Sequence, residues 1–470
     1  MRRRAFIAGA GAMLATRALP RNHRGFAQSL VWRGCGQNMN GIPNTVSAGG
    51  GAWSSCLRSR NYSPIQFRYF RVVLPTFWCT GSTIIDTNLP YNCNFQVGFE
   101  YPFNNSFTGI ATRQTVTFSS ANSASYTTSS GPFGYIMSDI MDAGSFIPSN
   151  TFFGIWTTVE NVGTNNDFPA TVILSDDYQA GWERYTGIVN ASSSLITSGQ
   201  ALTASSITQA STSQAGGQTA YCPAFLLIEH EPNYKSVLLI GDCIGAGIDE
   251  GQAGSGVYGD TLGSALGNVG YPMRYVIERL GYNGVNFSKA SDGFHNYSAT
   301  NWKYRLPLFA LANPTHFLCQ FGNNDVNLTP ATVQTDAQAL FAGLRATVPG
   351  RPIIQCTIGP RTTSTDNFAT LVNQTVSANF GNSSSNRGQI NAAIRSLAWG
   401  HNGFIDHNPV VENGYSEGVT ASETSVWVVN GSANYMPVDG EHANSYAYQQ
   451  GAANLYASRN GSTTSDPFTP

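Results

Sequence analysis

The stretch SVLLIGDCIGAG, Ser236 to Gly247, decides the fold. SVLLI is a short apolar run that ends abruptly on Gly241, as a buried strand does. Glycines at 241, 245 and 247 then impose a sharp turn, with Cys243 on it. From here to the C-terminus strand-like and helix-like patterns alternate, which means βαβ units and a parallel sheet.

The further strands read as NGVNFS, THFLCQF, PIIQCTI and GFID. Between them, YPMRYVIERLG spaces Met273, Val276, Ile277 and Leu280 at i, i+3, i+4 and i+7. Pro272 suits a first helical turn and Gly281 a C-terminal stop. LTPATVQTDAQALFAGLRATV opens on Thr329 and Pro330, a cap and a first-turn residue. RGQINAAIRSLAWG and ANSYAYQQGAANLYAS supply two later helices. Residues 236–470 therefore form a three-layer α/β domain.

Upstream the periodicity changes. IQFRYFRVVL, NFQVGFEY, RQTVTFSS, TFFGIWTTVE and ATVILS are β-type runs separated by Gly, Asn, Ser and Pro. Many short strands with such turn signals predict an all-β, sandwich-like domain over residues 28–221. Residues 222–235 are read as a linker. Trp32, Trp53 and Trp78 belong to the β region; they fit a core or an exposed platform for carbohydrate.

Charged residues make up only 11% of the 470-residue chain, against roughly 25% in ordinary soluble domains. A formal net charge of −2, with no basic run past the N-terminus, argues against nucleic acid or an anionic membrane as partner. Residues 1–27 read as an export signal. Arg3-Arg4-Ala5-Phe6-Ile7 resembles a twin-arginine signal, a short Ala/Gly-rich stretch follows, and Gly25-Phe26-Ala27 offers a cleavage site. The mature protein is expected to be exported, periplasmic or extracellular, and free of the membrane.

Eight cysteines fit an oxidising compartment. Cys35, Cys56, Cys79 and Cys93 are the set expected to bridge, while Cys319 and Cys356 lie in apolar strands and read as core thiols. Cys222 can be read either way.

In an open parallel sheet, ligands bind beyond the carboxyl ends of the strands. Gly241-Asp242-Cys243 follows the first strand of this half, and KASDG, ending at Gly293, follows the second. GNND, Gly322 to Asp325, follows the third, and VDGEH sets Asp439 three residues before His442 ahead of the last helix. These four blocks, in this order, resemble the SGNH hydrolase (GDSL-type esterase) superfamily over about half the chain. The resemblance implies a flavodoxin-like sheet and a secreted acyl-ester hydrolase acting on a small-molecule or carbohydrate ester. Cys243 stands where the family has its nucleophilic serine. The implied general base is His442, oriented by Asp439. The implied oxyanion hole joins the N–H groups of Cys243 and Gly293 to the side-chain amide of Asn324. Asp242 is expected to shape the turn. No cofactor and no metal is called for.

The thiol opens alternatives. A turn entering a helix and a histidine partner would both lower its pKa, and a thiolate is a strong nucleophile. Sulfur is larger than oxygen and leaves more readily. The thiol is therefore compatible with a Cys-His-Asp hydrolase, a catalytically impaired relative binding acylated glycans, or an acyltransferase with a thioester intermediate. His401 and His407 flank Asp406 at a metal-like spacing but lack a third strong ligand, so a structural reading is favoured. His295 reads equally as a cleft or a surface histidine. Asp249 and Glu250 fall in a Gly-rich loop expected to rim the cleft.

Overall fold

The computed structural model describes residues 30–40, 43–47, 54–80, 84–103, 113–161, 167–172, 219–247, 270–414 and 425–469. The expected export signal, Trp53, Asp249 and Glu250 lie outside the described residues.

The C-terminal half is built on β1 (Ser236–Gly241), β2 (Asn283–Asn286), β3 (His316–Gln320), β4 (Ile353–Cys356) and β5 (Gly403–Asp406). All pair in parallel, in the spatial order β2-β1-β3-β4-β5. An antiparallel strand, β6 (Tyr456–Arg459), pairs with β5. Both faces are covered, because successive side chains of β1 serve different cores. Leu238 and Ile240 pack with Leu308 and Phe309 of α2 (Arg305–Ala312) and with Leu340 and Phe341 of α3 (Pro330–Thr347). Val237 and Leu239 face the opposite way, toward Met273 of α1 (Gly270–Arg274). The π-helical turn Tyr275–Arg279 continues α1 and adds Val276 and Ile277 to that core.

The helix ends follow from local chemistry. The Thr329 side chain accepts the N–H of Thr332 and starts α3. Ser385 and Asn444 cap α4 (Asn386–Arg395) and α5 (Ser445–Asn454) in the same way. Gly281, at φ 66°, supplies the left-handed conformation that stops the first helix. Among the described residues no helix is long and apolar enough to cross a membrane.

The parallel strands do not form a separate sheet. Strand Val31–Asn40 runs parallel to β2 on one side and antiparallel to Phe225–His230 on the other. Phe225–His230 in turn pairs with Phe67–Thr80, giving among the described residues one 13-stranded sheet across both halves. The expected linker at 222–235 thus contains a strand buried on both faces. Leu226 and Ile228 enter a β-rich core, and Phe225 and Leu227 enter the α/β core.

Over the β-rich end lies a five-stranded sheet that includes Ser54–Ser63, Cys93–Glu100 and Thr151–Asn161. The two sheets meet through aromatic rings, with Phe70 and Phe99 centroids 4.3 Å apart. Trp32 and Trp78 are partly buried, packed against the α/β core and the β-rich core respectively. All eight cysteines are buried and unbridged, including the four expected to pair. Cys35 and Cys93 fill the β-rich core, and Cys79 belongs to the α/β core beside Asp86.

Candidate active site

The chain passes from β1 to β2 on one side and then crosses to β3 on the other. The carboxyl ends of β1 and β3 therefore flank the switch in strand order, where open α/β sheets bind ligands. Cys243 follows β1 and Asn324 follows β3.

The turn carrying Cys243 is pinned by its neighbours. Gln320 Oε1, at the end of β3, accepts the N–H groups of Asp242 at 3.3 Å and Gly245 at 2.7 Å. Asn286, at the end of β2, donates Nδ2 to the Gly245 carbonyl at 3.1 Å. A Cβ at Gly245 would lie 2.5 Å from Ser288 Oγ and 2.9 Å from Gln320 Oε1, so only glycine allows this approach. Asp242 is fully buried and its Oδ1 accepts the Ile244 N–H. Burial pushes its carboxyl up to about 8, so it stays largely protonated at neutral pH.

Cys243 itself is 6% exposed. Its thiol lies well above the ordinary cysteine range, first through burial and then through the nearby Asp242 and Glu441 carboxyls. The N–H groups of Cys243 and Ile244 oppose this without reversing it. A depressed pKa was the expectation from sequence. The structure reverses it, because loss of solvent outweighs the local donors.

The Asp439–His442 turn winds around one carboxylate. Asp439 Oδ1 accepts the backbone N–H of Glu441 at 2.8 Å and of His442 at 2.7 Å. Oδ2 meets His442 Nδ1 at 2.7 Å. Burial would raise the Asp439 carboxyl, but its hydrogen bonds to His442 and Glu441 outweigh that and hold it below the usual range. Cys243 Sγ, a Glu441 carboxylate oxygen and a His442 ring nitrogen all lie within 4.8 Å of one another. Nδ1 is engaged by Asp439, which leaves Nε2 as the nitrogen suited to exchange a proton with the thiol.

The two other expected oxyanion donors turn toward Asp292. The Gly293 N–H donates to Asp292 Oδ1 at 2.8 Å, and Asn324 Nδ2 donates to the Asp292 carbonyl, also at 2.8 Å. Asn324 has a second amide proton to give, whereas Gly293 has committed its only one. As placed, a hole here would rest on Cys243 and Asn324. Asp292 is anchored by buried Arg305, whose Nη1 reaches Asp292 Oδ2 at 2.7 Å while Nε holds Asp86 Oδ1 at 2.8 Å.

Beside Gly293 lies a second histidine–carboxylate pair. His295 Nδ1 is 2.6 Å from Asp325 Oδ1. Asp325 also accepts the N–H groups of Phe294 and His295. Its hydrogen bond with Asp325 is the main reason His295 titrates above an ordinary histidine.

His401 and His407 do not converge. His401 Nε2 bonds the Ile394 carbonyl, and His407 stacks on Tyr271 with centroids 4.2 Å apart. Burial lowers both to about 4, so they are neutral packing residues. Glu441, Gln320, Asn286 and Arg305 went unnoticed in the sequence. Glu441 alone carried a signal, lying inside the VDGEH block.

No model of a known protein family matches the chain, and no curated protein matches it. Solved structures that align with it include a GDSL-like lipase from Parabacteroides merdae. The identity is 16%, covering 47% of this chain and 94% of that one, with a TM-score of 0.30. A carbohydrate esterase family 2 enzyme plus carbohydrate-binding domain from Corynascus thermopiles aligns at 10% identity over 90% and 96% of the two chains, with a TM-score of 0.31. A family two carbohydrate esterase from Clostridium thermocellum, in complex with cellohexaose, gives 10%, 90%, 96% and 0.28 respectively. These likenesses are too distant to transfer residue roles or a substrate.

Proposed function

We propose that the protein is an SGNH-type acyl-ester hydrolase on a flavodoxin-like sheet, using Cys243, His442 and Asp439. The observation that carries this is the convergence of the Cys243 thiol on a His442 ring whose other nitrogen is held by Asp439. The substrate class is a carboxylic or carbohydrate ester, and the twin-arginine-like N-terminus supports export.

The chemistry follows from the thiol's environment. Because Cys243 rests protonated, no preformed thiolate is available. His442 Nε2 takes the Sγ proton as sulfur attacks the ester carbonyl. Asp439 stabilises the imidazolium that forms. The developing oxyanion is received by the Cys243 N–H and the second Asn324 proton, each worth roughly 3–4 kcal/mol. The tetrahedral intermediate collapses, His442 protonates the departing alkoxide, and a thioester remains. Water activated by His442 then releases the acid and restores the thiol.

Two observations favour a second reading, a catalytically impaired relative that binds acylated ligands. They are the elevated thiol and the commitment of Gly293 to Asp292. Hydrolysis of short-chain aryl esters by the full chain separates the two. Hydrolysis abolished by thiol alkylation and by Cys243→Ala is expected. Equal inertness of the unchanged protein and the Ala form, with activity gained in Cys243→Ser, would establish the impaired reading. Acyl transfer to added amines in preference to water would instead mark an acyltransferase.

A further inference from the structure

Glu441 has no task in that triad. A carboxylate beside a sulfur nucleophile repels the thiolate it must become, so its position calls for another account. Among the described residues, Cys243, Glu441 and His442 are the one group of His, Cys, Asp or Glu side chains that gathers three metal-ligand atoms together. We propose that these three residues bind a soft divalent cation of the Zn2+ type, with one coordination position left open.

The donor set suits such an ion. Thiolate, imidazole and carboxylate are its protein ligands, and three of them plus a vacant fourth position make an open tetrahedral site. The surroundings are already arranged for it. Asp439 holds Nδ1 of His442 at 2.7 Å, fixing the ring so that Nε2 is the donor, as carboxylates do behind metal-bound histidines. The same carboxylate ties down the backbone of Glu441 and His442, so these adjacent side chains project from a fixed turn. Arg361 Nη2 holds Glu441 Oε2 at 2.9 Å, which aims the carboxylate. Cys243 comes from a separate element, the turn that Gln320 and Asn286 pin.

The fit requires one adjustment. Ligand atoms around a tetrahedral zinc lie about 3.5 Å apart, given bond lengths of roughly 2.0–2.3 Å. The present limit of 4.8 Å must therefore close by about 1 Å, a side-chain movement in which Glu441 swings toward the ion while its other oxygen stays with Arg361. A dication also removes the conflict between Glu441 and the thiolate, since both negative groups then face positive charge. Ligation displaces the thiol proton to solvent, and no redox change is involved.

The site needs only three donor atoms and goes beyond ester hydrolysis; its consequence for activity rests on the hydrolytic reading. A metal on sulfur occupies the nucleophile, so Zn2+ would be a reversible inhibitor. Titration of the full chain with Co2+, followed by competition with Zn2+, tests the site directly. The expected result is one equivalent bound with cobalt–thiolate charge-transfer absorption. Cys243→Ala abolishes that band, and Glu441→Gln, a partly exposed position, weakens binding at least about tenfold. No band on folded protein, or a band that persists in Cys243→Ala, overturns the site. Hydrolysis without the band refutes the metal site alone, and the band without hydrolysis refutes the hydrolytic reading alone.

Discussion

The molecule carries two histidine–carboxylate pairs of nearly equal length and opposite exposure. In the His442–Asp439 pair the carboxylate side chain is 48% exposed and the histidine 14%. In the His295–Asp325 pair the histidine is 37% exposed and the carboxylate fully buried. Both bonds run through Nδ1, so both rings offer Nε2 to whatever lies beyond. The difference is in what is fixed. Asp439 organises a turn that places a mostly buried ring near a thiol. Asp325 gathers the backbone of Phe294 and His295 and clamps the loop behind Gly293. Nearly equal bond lengths therefore accompany different surroundings: a thiol lies near one ring, and a clamped loop carries the other.

Replacing each histidine with glutamine is the most direct way to break this comparison. In the proposed mechanism His442→Gln removes the base that deprotonates the buried thiol. A loss of about 10²–10⁴-fold in ester hydrolysis is expected, the range of general acid–base catalysis. His295→Gln should leave the rate nearly unchanged. Rate constants for both variants check this, and a reversed order of effects would move the catalytic role to the second pair.

Asp439→Asn should have a smaller effect. A hydrogen bond to a charged group contributes about 1.5–3 kcal/mol, and an exposed carboxylate belongs at the low end. The expected loss is about tenfold in kcat, with KM little changed. A loss as large as that of His442→Gln would mean the ring needs Asp439 for its tautomer as well as for charge.

The sequence carried the α/β half well because each element had its own local signal. Thr329 and Pro330 marked the start of α3, and Gly281 marked a helix end; neither depends on the rest of the fold. The contact between Asp439 and His442 was legible for the same reason, since the two lie three residues apart in one turn. What could not be read depends on distant partners. The pairing of Val31–Cys35 with Leu226–His230 joins segments nearly two hundred residues apart, so the shared sheet left no local trace. FLLIEH did carry a signal, since an apolar run makes a poor linker, but only its two cores show why it is a strand. The Gly293 N–H is taken by an adjacent carboxylate, a matter of rotamer that spacing cannot express. The thiol was misjudged because helix and histidine effects are local, whereas burial is a property of the whole fold.

The smallest effect tests the second pair on its own terms. The hydrogen bond to Asp325 raises His295 above the ordinary histidine value, so the pair stabilises the fold while His295 is protonated. That contribution is complete below the unfolded pKa of about 6.5 and is lost as pH rises through the higher folded value. Over a third of the His295 side chain is exposed, so solvent and salt screen the pair to at most about 1 kcal/mol. Melting temperatures of the parent and His295→Gln, from about pH 5 to about pH 9, should therefore differ most at the acid end and converge at the alkaline end. Added salt should shrink the acid-side gap. A gap constant across pH would mean that the neutral ring serves Asp325 as well as the charged one. The pair would then be a packing contact with no electrostatic part.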